Sequence, residues 1–253
     1  MTLKRALLVL CLSSFTVGQA QPDADSVASL RELIAGGYYA LAAQVDGPQV
    51  VRAHPESGEA HLLYAQALYL VGNLEAAAAQ LNRAKGLADG PDLNQGVTRL
   101  EALVQAAQGN PQNAVRMLAR LFDTSGDYEV AMDWGQVAWQ SGNLEGALRA
   151  YRAAGDTALG ETEPWPSLNA ARLLLLQKNY ADAITTLETT LTILEGDSSP
   201  RPSPAYAEAF YRLGEAHEAL GEDDDAISNY QAAISVNPDY LPADEALKRL
   251  ENR

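Results

Sequence analysis

Gly72-Asn73-Leu74-Glu75-Ala76-Ala77 returns further along the chain as Gly142-Asn143-Leu144-Glu145-Gly146-Ala147. Looser copies are Gly109-Asn110-Pro111-Gln112-Asn113-Ala114, Lys178-Asn179-Tyr180-Ala181-Asp182-Ala183 and Gly221-Glu222-Asp223-Asp224-Asp225-Ala226, with a degenerate Gly37-Tyr38-Tyr39-Ala40-Leu41-Ala42 ahead of them. The closing alanines fall at 42, 77, 114, 147, 183 and 226, so the separations are 35, 37, 33, 36 and 43. A period near 34 with one insertion marks a repeat architecture. The phrase itself predicts a helical hairpin. Gly ends one helix in the left-handed region at little steric cost, Asn or an acid opens the next at its positive end, and Ala lets the two helices approach closely.

Residues 207–238 show the fullest unit, with Phe210, Leu213-Gly214 and His217 on one helix and Ala226, Tyr230, Ala233 and Pro238 through the second. These offsets resemble the tetratricopeptide pattern, His217 standing where that family usually has Tyr. Residues 58–89 carry His61, Tyr64-Ala65, Leu68, Ala77, Leu81 and Ala84 at the same spacing. Residues 128–155 carry Trp134-Gly135, Ala147 and Tyr151, and residues 164–195 carry Ala170-Ala171, Ala183 and Leu187. In 93–122 the second helix fits through Ala114 and Leu118. Glu101 and Gln105 fall there on slots that should be apolar, which predicts a first helix slipped by a residue. The opening unit, 25–54, keeps only its turn and an apolar stripe of Val27, Leu30, Leu33 and Ile34. The resemblance implies an all-α fold, a right-handed α-solenoid of about six hairpins. The prolines of 196–205 predict an exposed loop, and residues 242–252 a C-terminal capping helix.

The rest of the composition agrees. Hydrophobic residues make up 47% of the chain and aromatics only 7%, which favours helices packed through small side chains over a sheet core. Eighteen Lys+Arg against 33 Asp+Glu give a charge of -15, which disfavours nucleic acid and anionic membranes as partners. Lys4 and Arg5, the apolar Ala6–Val17 stretch and Gly18-Gln19-Ala20 form the three parts of a secretory signal. Cleavage after Ala20 predicts an exported chain, periplasmic or extracellular, with no stable membrane insertion. It removes two basic residues and no acids, leaving 16 against 33, or -17. Cys11, the only cysteine, leaves with the signal, since Leu8, Val9 and Leu10 before it do not make a lipoprotein site.

In such a solenoid the first helices line the inner surface, and the family resemblance implies that this groove holds a segment of a partner protein. The inward residues are expected to be Leu62, Gln66 and Tyr69, then Met132, Gln136 and Trp139, then Leu168, Arg172 and Leu175, then Tyr211, Glu215 and Glu218. Tyr69, Trp139 and Tyr211 are the expected aromatic anchors; packing between repeats is the competing role for these rings. The basic carboxylate clamp of the chaperone-tail-binding subgroup is absent from these slots. Glu215 and Glu218 point to a basic or neutral partner.

No catalytic motif emerges, and neither a cofactor nor a metal is expected. His54, His61 and His217 have no ligand spacing, and Glu222-Asp223-Asp224-Asp225 lacks the central Gly and distal Glu of a calcium loop. The expectation is a non-enzymatic scaffold. Alternatives are a structural subunit of an envelope assembly, such as pilus or outer-membrane machinery, using its convex face or self-association, and a cell-wall glycan enzyme with paired carboxylates.

Overall fold

The structure, a computed structural model, describes residues 25–196 and 203–252. The signal segment and residues 197–202 of the proline-rich loop lie outside them. The described residues are helical, without strands, and follow one another as hairpins. The first pairs α1 (Asp25–Ala35) with a composite helix made of α2 (Tyr39–Leu41), a π-helical turn (Ala42–Asp46) and α3 (Gly47–Ala53). Then come α4 (Gly58–Leu70) with α5 (Leu74–Leu87), α6 (Pro91–Ala107) with α7 (Pro111–Ser125), and α8 (Tyr128–Gln140) with α9 (Leu144–Gly155). The last two are α10 (Trp165–Leu176) with α11 (Tyr180–Glu195), and α12 (Pro204–Leu220) with α13 (Asp223–Val236); α14 (Leu241–Glu251) closes the array.

The turns share one geometry. Gly37, Gly72, Gly109, Gly142 and Gly221 sit at φ between 78° and 90°, and Lys178 takes the same place at φ 60°. The next amide then reaches back to the carbonyl five residues earlier: Tyr38 to Leu33, Asn73 to Leu68, Asn110 to Gln105, Asn143 to Ala138 and Asn179 to Leu174 at 2.9 Å, and Glu222 to His217 at 3.0 Å. This is the Schellman closure, which satisfies carbonyls the helix end would otherwise orphan. Asn73 and Asn143 add side-chain caps to the Ala76 and Gly146 amides, at 3.3 and 2.9 Å.

Packing follows the repeated small residues. Ala42, Ala77, Ala114, Ala147, Ala183 and Ala226 are all fully buried. From α4 onward, a second small residue on each first helix faces a large one sixteen positions on. The pairs Ala65 and Leu81, Ala102 and Leu118, and Ala171 and Leu187 each share a core cluster. Where the partner is Tyr the small residue is Gly. A Cβ at Gly135 would lie 2.5 Å from the Tyr151 ring, and one at Gly214 would lie 2.4 Å from Tyr230.

The third hairpin corrects the expected slip. Ala102 lies in register in the core with Leu118, so Glu101 and Gln105 keep their slots. They are tolerated because both are partnered: Lys85 Nζ donates to the two Glu101 oxygens at 2.9 and 3.3 Å, and Asn113 Nδ2 donates to Gln105 Oε1. In the first hairpin the π turn carries an extra residue. It leads into Gly47, where a Cβ would sit 2.2 Å from the Tyr64 ring of α4.

First helices touch along the array, α4 on α6, α6 on α8 and α10 on α12, whereas successive second helices make no comparable contact. The first helices are therefore the crowded, concave side. At the C-terminal edge, Ala243, Ala246 and Leu250 of α14 cover Ala226, Tyr230 and Ala233 of α13.

Candidate functional site

The concave side carries three adjoining hollows. The first, about 440 Å³, lies among α4, α6 and α8 and is lined by Leu62, Gln66, Tyr69, Gly96, Arg99, Leu103, Asp133 and Gln136. A second of about 540 Å³ is lined by Met132, Gln136, Trp139, Asn169 and Arg172, with Tyr151 also reaching it. The third, about 370 Å³, is lined by Trp139, Arg172, Leu175, Leu176, Tyr180, Arg212 and Glu215. Gln136 and Gln140 belong to the first two, and Trp139 and Arg172 to the last two. The hollows thus form one track from α4 to α12.

Nine of the expected residues border this track: Leu62, Gln66, Tyr69, Met132, Gln136, Trp139, Arg172, Leu175 and Glu215. Leu168 does not. It is fully buried with Ala205 and Ala209, whose small side chains let α12 settle onto α10. Tyr211 and Glu218 are also drawn away, toward the cap. The Tyr211 ring packs against Tyr230 and Tyr240 at centroid distances of 5.7 and 5.6 Å. Glu218 Oε2 accepts from Tyr230 Oη at 2.8 Å and from Arg249 Nη2 at 2.7 Å. Among the lining residues missed, Gly96, Arg99 and Leu103 lie on α6, a first helix for which no groove residue was expected, and Asp133, Gln140, Asn169, Leu176, Tyr180 and Arg212 lie on α8, α10, α11 and α12. The spacing of Ala102 to Leu118 was the signal for those on α6, since it fixes Arg99 and Leu103 as the counterparts of Leu62 and Gln66.

The charges in the track are paired. Arg99 Nε donates to Asp133 Oδ2 at 2.5 Å and its Nη2 to Glu129 Oε2 at 3.2 Å. Arg172 grips both oxygens of Glu208, Nε to Oε1 at 2.8 Å and Nη2 to Oε2, while its Nη1 donates to Asn169 Oδ1 at 2.7 Å. Arg212 Nη1 donates to Glu215 Oε2 at 2.7 Å, and its Nε and Nη2 both reach Glu208 Oε1 at 3.2 Å. Burial pushes the Asp133 carboxyl above its usual range, with Arg99 opposing and Glu129 and Asp127 adding to the rise. At Glu208 burial pushes the same way, but Arg172 and Arg212 together outweigh it and hold the carboxyl below its ordinary value. Burial, and then the Asp133 charge, also raise the Tyr69 phenol. The acidic end expected of the groove is therefore compensated in place.

Tetratricopeptide repeat models match residues 49–92, 99–160 and 164–239. The chain belongs to the tetratricopeptide repeat family. Among solved structures it is similar to PilW, described as a widely conserved type IV pilus biogenesis factor, at 15% identity and a TM-score of 0.66 over 88% of this chain and 97% of that one. It is similar to PilF of Pseudomonas aeruginosa at 16% identity and a TM-score of 0.63, covering 89% and 96% of the two chains. A third is YrrB, described as a tetratricopeptide protein with an unusual peptide-binding site, at 18% identity and a TM-score of 0.58, covering 80% and 97%. No curated protein sequence matches the chain.

The histidines of this tetratricopeptide array are engaged in its packing. His61 is buried, its Nε2 donating to the Pro55 carbonyl at 3.0 Å and its Nδ1 2.7 Å from Gln80 Oε1. His54 Nε2 meets Ser26 Oγ at 2.9 Å, joining the first hairpin's two helices. His217, Glu222 and Asp225 bring three ligand atoms within 4.8 Å of one another, the one such group among the described residues. Within it, His217 Nδ1 and Glu222 Oε2 already pair at 2.7 Å across the α12–α13 turn. The acids sit where the α13 dipole favours negative charge. No helix of the described residues is long and apolar enough to cross a membrane.

Proposed function

We propose that this protein is a non-enzymatic scaffold that holds a segment of another protein along its concave track. The observation that carries this reading is the continuity of the track: three hollows share lining residues and run across successive first helices. Tyr69 and Trp139 are its anchors, because half-buried aromatics offer large contact area with little side-chain entropy to lose. Cross-linking in the source cell tests it by comparing wild type with a Tyr69→Ala/Trp139→Ala variant. Loss of the cross-linked partners in a folded variant supports the reading, and undiminished recovery removes it.

The same proposal places the protein outside the cytoplasm, in the periplasm or the extracellular space. Its support is the signal pattern ahead of the array. Amino-terminal sequencing of the chain isolated from cells tests it: a start at Gln21 is expected, and a retained Met1 overturns export by cleavage. A second reading, a structural part of an envelope assembly such as pilus machinery, is favoured by the likeness to PilW and PilF. It requires a partner on the convex face or self-association. Sedimentation that shows only monomer at high concentration counts against the latter.

A further inference from the structure

The track leaves three carboxamides unused and no guanidinium. Gln66 on α4 and Gln136 and Gln140 on α8 all line the first hollow, and none has a hydrogen-bond partner among the described residues. Each can donate two hydrogen bonds and accept two. The arginines differ. Arg99, Arg172 and Arg212 are each gripped by carboxylates of the neighbouring or the same helix. An arriving carboxylate has to compete with Asp133, Glu208 or Glu215 for its guanidinium, and an arriving ammonium has to displace a guanidinium from its acid. Although the chain carries -15 overall, the walls of the track are close to charge balance.

The carboxamides also distinguish two backbone states of a ligand. A helix spends its N–H and C=O groups internally and presents side chains alone. An extended segment keeps a free donor and acceptor at every residue, which is what three adjacent carboxamides can pair. Beside them, Leu62 packs over Gly96, where an added Cβ would lie 2.9 Å from its Cδ2, and Leu62, Leu100 and Leu103 together give the first hollow an apolar wall.

We propose that the track takes an extended, uncharged segment of a partner protein, its main chain paired by Gln66, Gln136 and Gln140 and a large apolar side chain seated against Leu62 and Leu103. This rests on the groove reading above and adds the chemistry of the occupant. Specificity then comes from main-chain hydrogen bonding and one apolar slot, with little contribution from charge.

The test is selection of displayed random peptides, about 12 residues long, on the purified chain, with the Tyr69→Ala/Trp139→Ala variant as control. The enriched peptides are expected to show no excess of Lys, Arg, Asp or Glu, and their affinity to change less than about twofold between about 0.05 and 0.5 M salt. A Gln66→Ala/Gln136→Ala/Gln140→Ala variant, altered only at partly or fully exposed positions, is expected to bind them about tenfold more weakly. A helix-constrained form of the best peptide is expected to lose as much. Enrichment of charged, salt-sensitive peptides, equal binding of the helical form, or undiminished binding by the triple variant each overturns the proposal and leaves the groove reading standing. Equal enrichment on wild type and the aromatic variant overturns the groove reading, and the proposal with it.

Discussion

Arg172 on α10 closes its Nε and Nη2 onto the two oxygens of Glu208 on α12, tying neighbouring first helices together. The Arg99–Asp133 pair does the same between α6 and α8. The two bridges differ in charge balance: Glu208 meets two guanidiniums, whereas Asp133 meets one and has Glu129 and Asp127 nearby. Replacing Glu208 by Gln is therefore expected to cost about 1.5 to 3 kcal/mol, the range for hydrogen bonds to charged groups, because it removes the carboxylate that holds part-buried Arg172 and one of the two that hold Arg212. Asp133→Asn is expected to cost less, since it also relieves a carboxylate that burial disfavours. Urea unfolding of both variants at neutral pH measures the difference. Equal losses reject this account.

The same pair sets a pH dependence. The folded-state pKa of Glu208 lies below its ordinary 4.5, so its contribution is complete above about pH 4.5 and is lost as pH falls through the lower folded value. Asp133 has the opposite sign, its folded pKa being raised above 3.8. Wild type is expected to lose stability on acidification below about pH 4.5 more steeply than Glu208→Gln. Urea midpoints across that range provide the check, and parallel slopes contradict it.

The contact of Gly214 with Tyr230 predicts a second effect. Tyr230 is fully buried, so its ring cannot move away from a methyl at position 214. Gly214→Ala is expected to destabilise by about 1 to 3 kcal/mol through overpacking, despite the better helix propensity of Ala. The double change Gly214→Ala/Tyr230→Leu reproduces the pairing seen at Ala171 and Leu187, and is expected to recover part of the loss. Thermal unfolding of the single and double variants decides it: additive losses show that the two sites are not coupled.

These pairs also show how much of the architecture was legible in the sequence. The turn phrase and its alanines carry the hairpins, because left-handed φ and zero-clearance helix contacts each admit few residue types. The third hairpin was misread because Glu101 and Gln105 look wrong for buried slots. Their partners, Lys85 and Asn113, come from other helices and become visible only once those helices are placed. The groove was legible at its middle positions, where Gln66, Gln136, Arg172 and Glu215 all face the track. It failed at Leu168, Tyr211 and Glu218, because the close seating of α12 on α10 and the α14 cap cover residues that the repeat pattern alone leaves open.

Lys178 is the one non-glycine residue at positive φ among those described. It closes the fifth hairpin in the place that Gly72 and Gly142 hold in theirs, and an L residue there bears a steric penalty of about 1 kcal/mol or somewhat more. Lys178→Gly is expected to stabilise the array by up to about 1 kcal/mol, part of the gain being offset by the greater freedom of Gly in the unfolded chain. Gly72→Ala is expected to destabilise it, although nothing lies within 4 Å of the added Cβ, so its effect isolates the backbone term. Chemical denaturation of both variants tests the pair. A destabilised Lys178→Gly variant shows that the lysine side chain contributes more than its backbone strain removes.

At the C-terminal end, Tyr211 Oη donates to Glu215 Oε1 at 2.9 Å and Tyr230 Oη to Glu218 Oε2 at 2.8 Å. Burial, followed by the Glu215 charge and hydrogen bond, pushes the Tyr211 phenol up to about 12; for Tyr230 burial and then the Glu218 bond push it further in the same direction. An acid whose folded pKa is raised contributes stability that is complete below its unfolded pKa of about 10 and is lost as pH rises through the folded value. The cap, which covers Tyr230 with Ala243, Ala246 and Leu250, is therefore expected to loosen between about pH 10 and 12. Ultraviolet titration of phenolate absorbance and hydrogen exchange at the amides of α14 should move together over that interval. Tyr211→Phe keeps the ring packing and removes one of the two phenols, so it is expected to flatten the alkaline loss of stability. An unchanged slope in that variant rejects Tyr211 as a source of the effect.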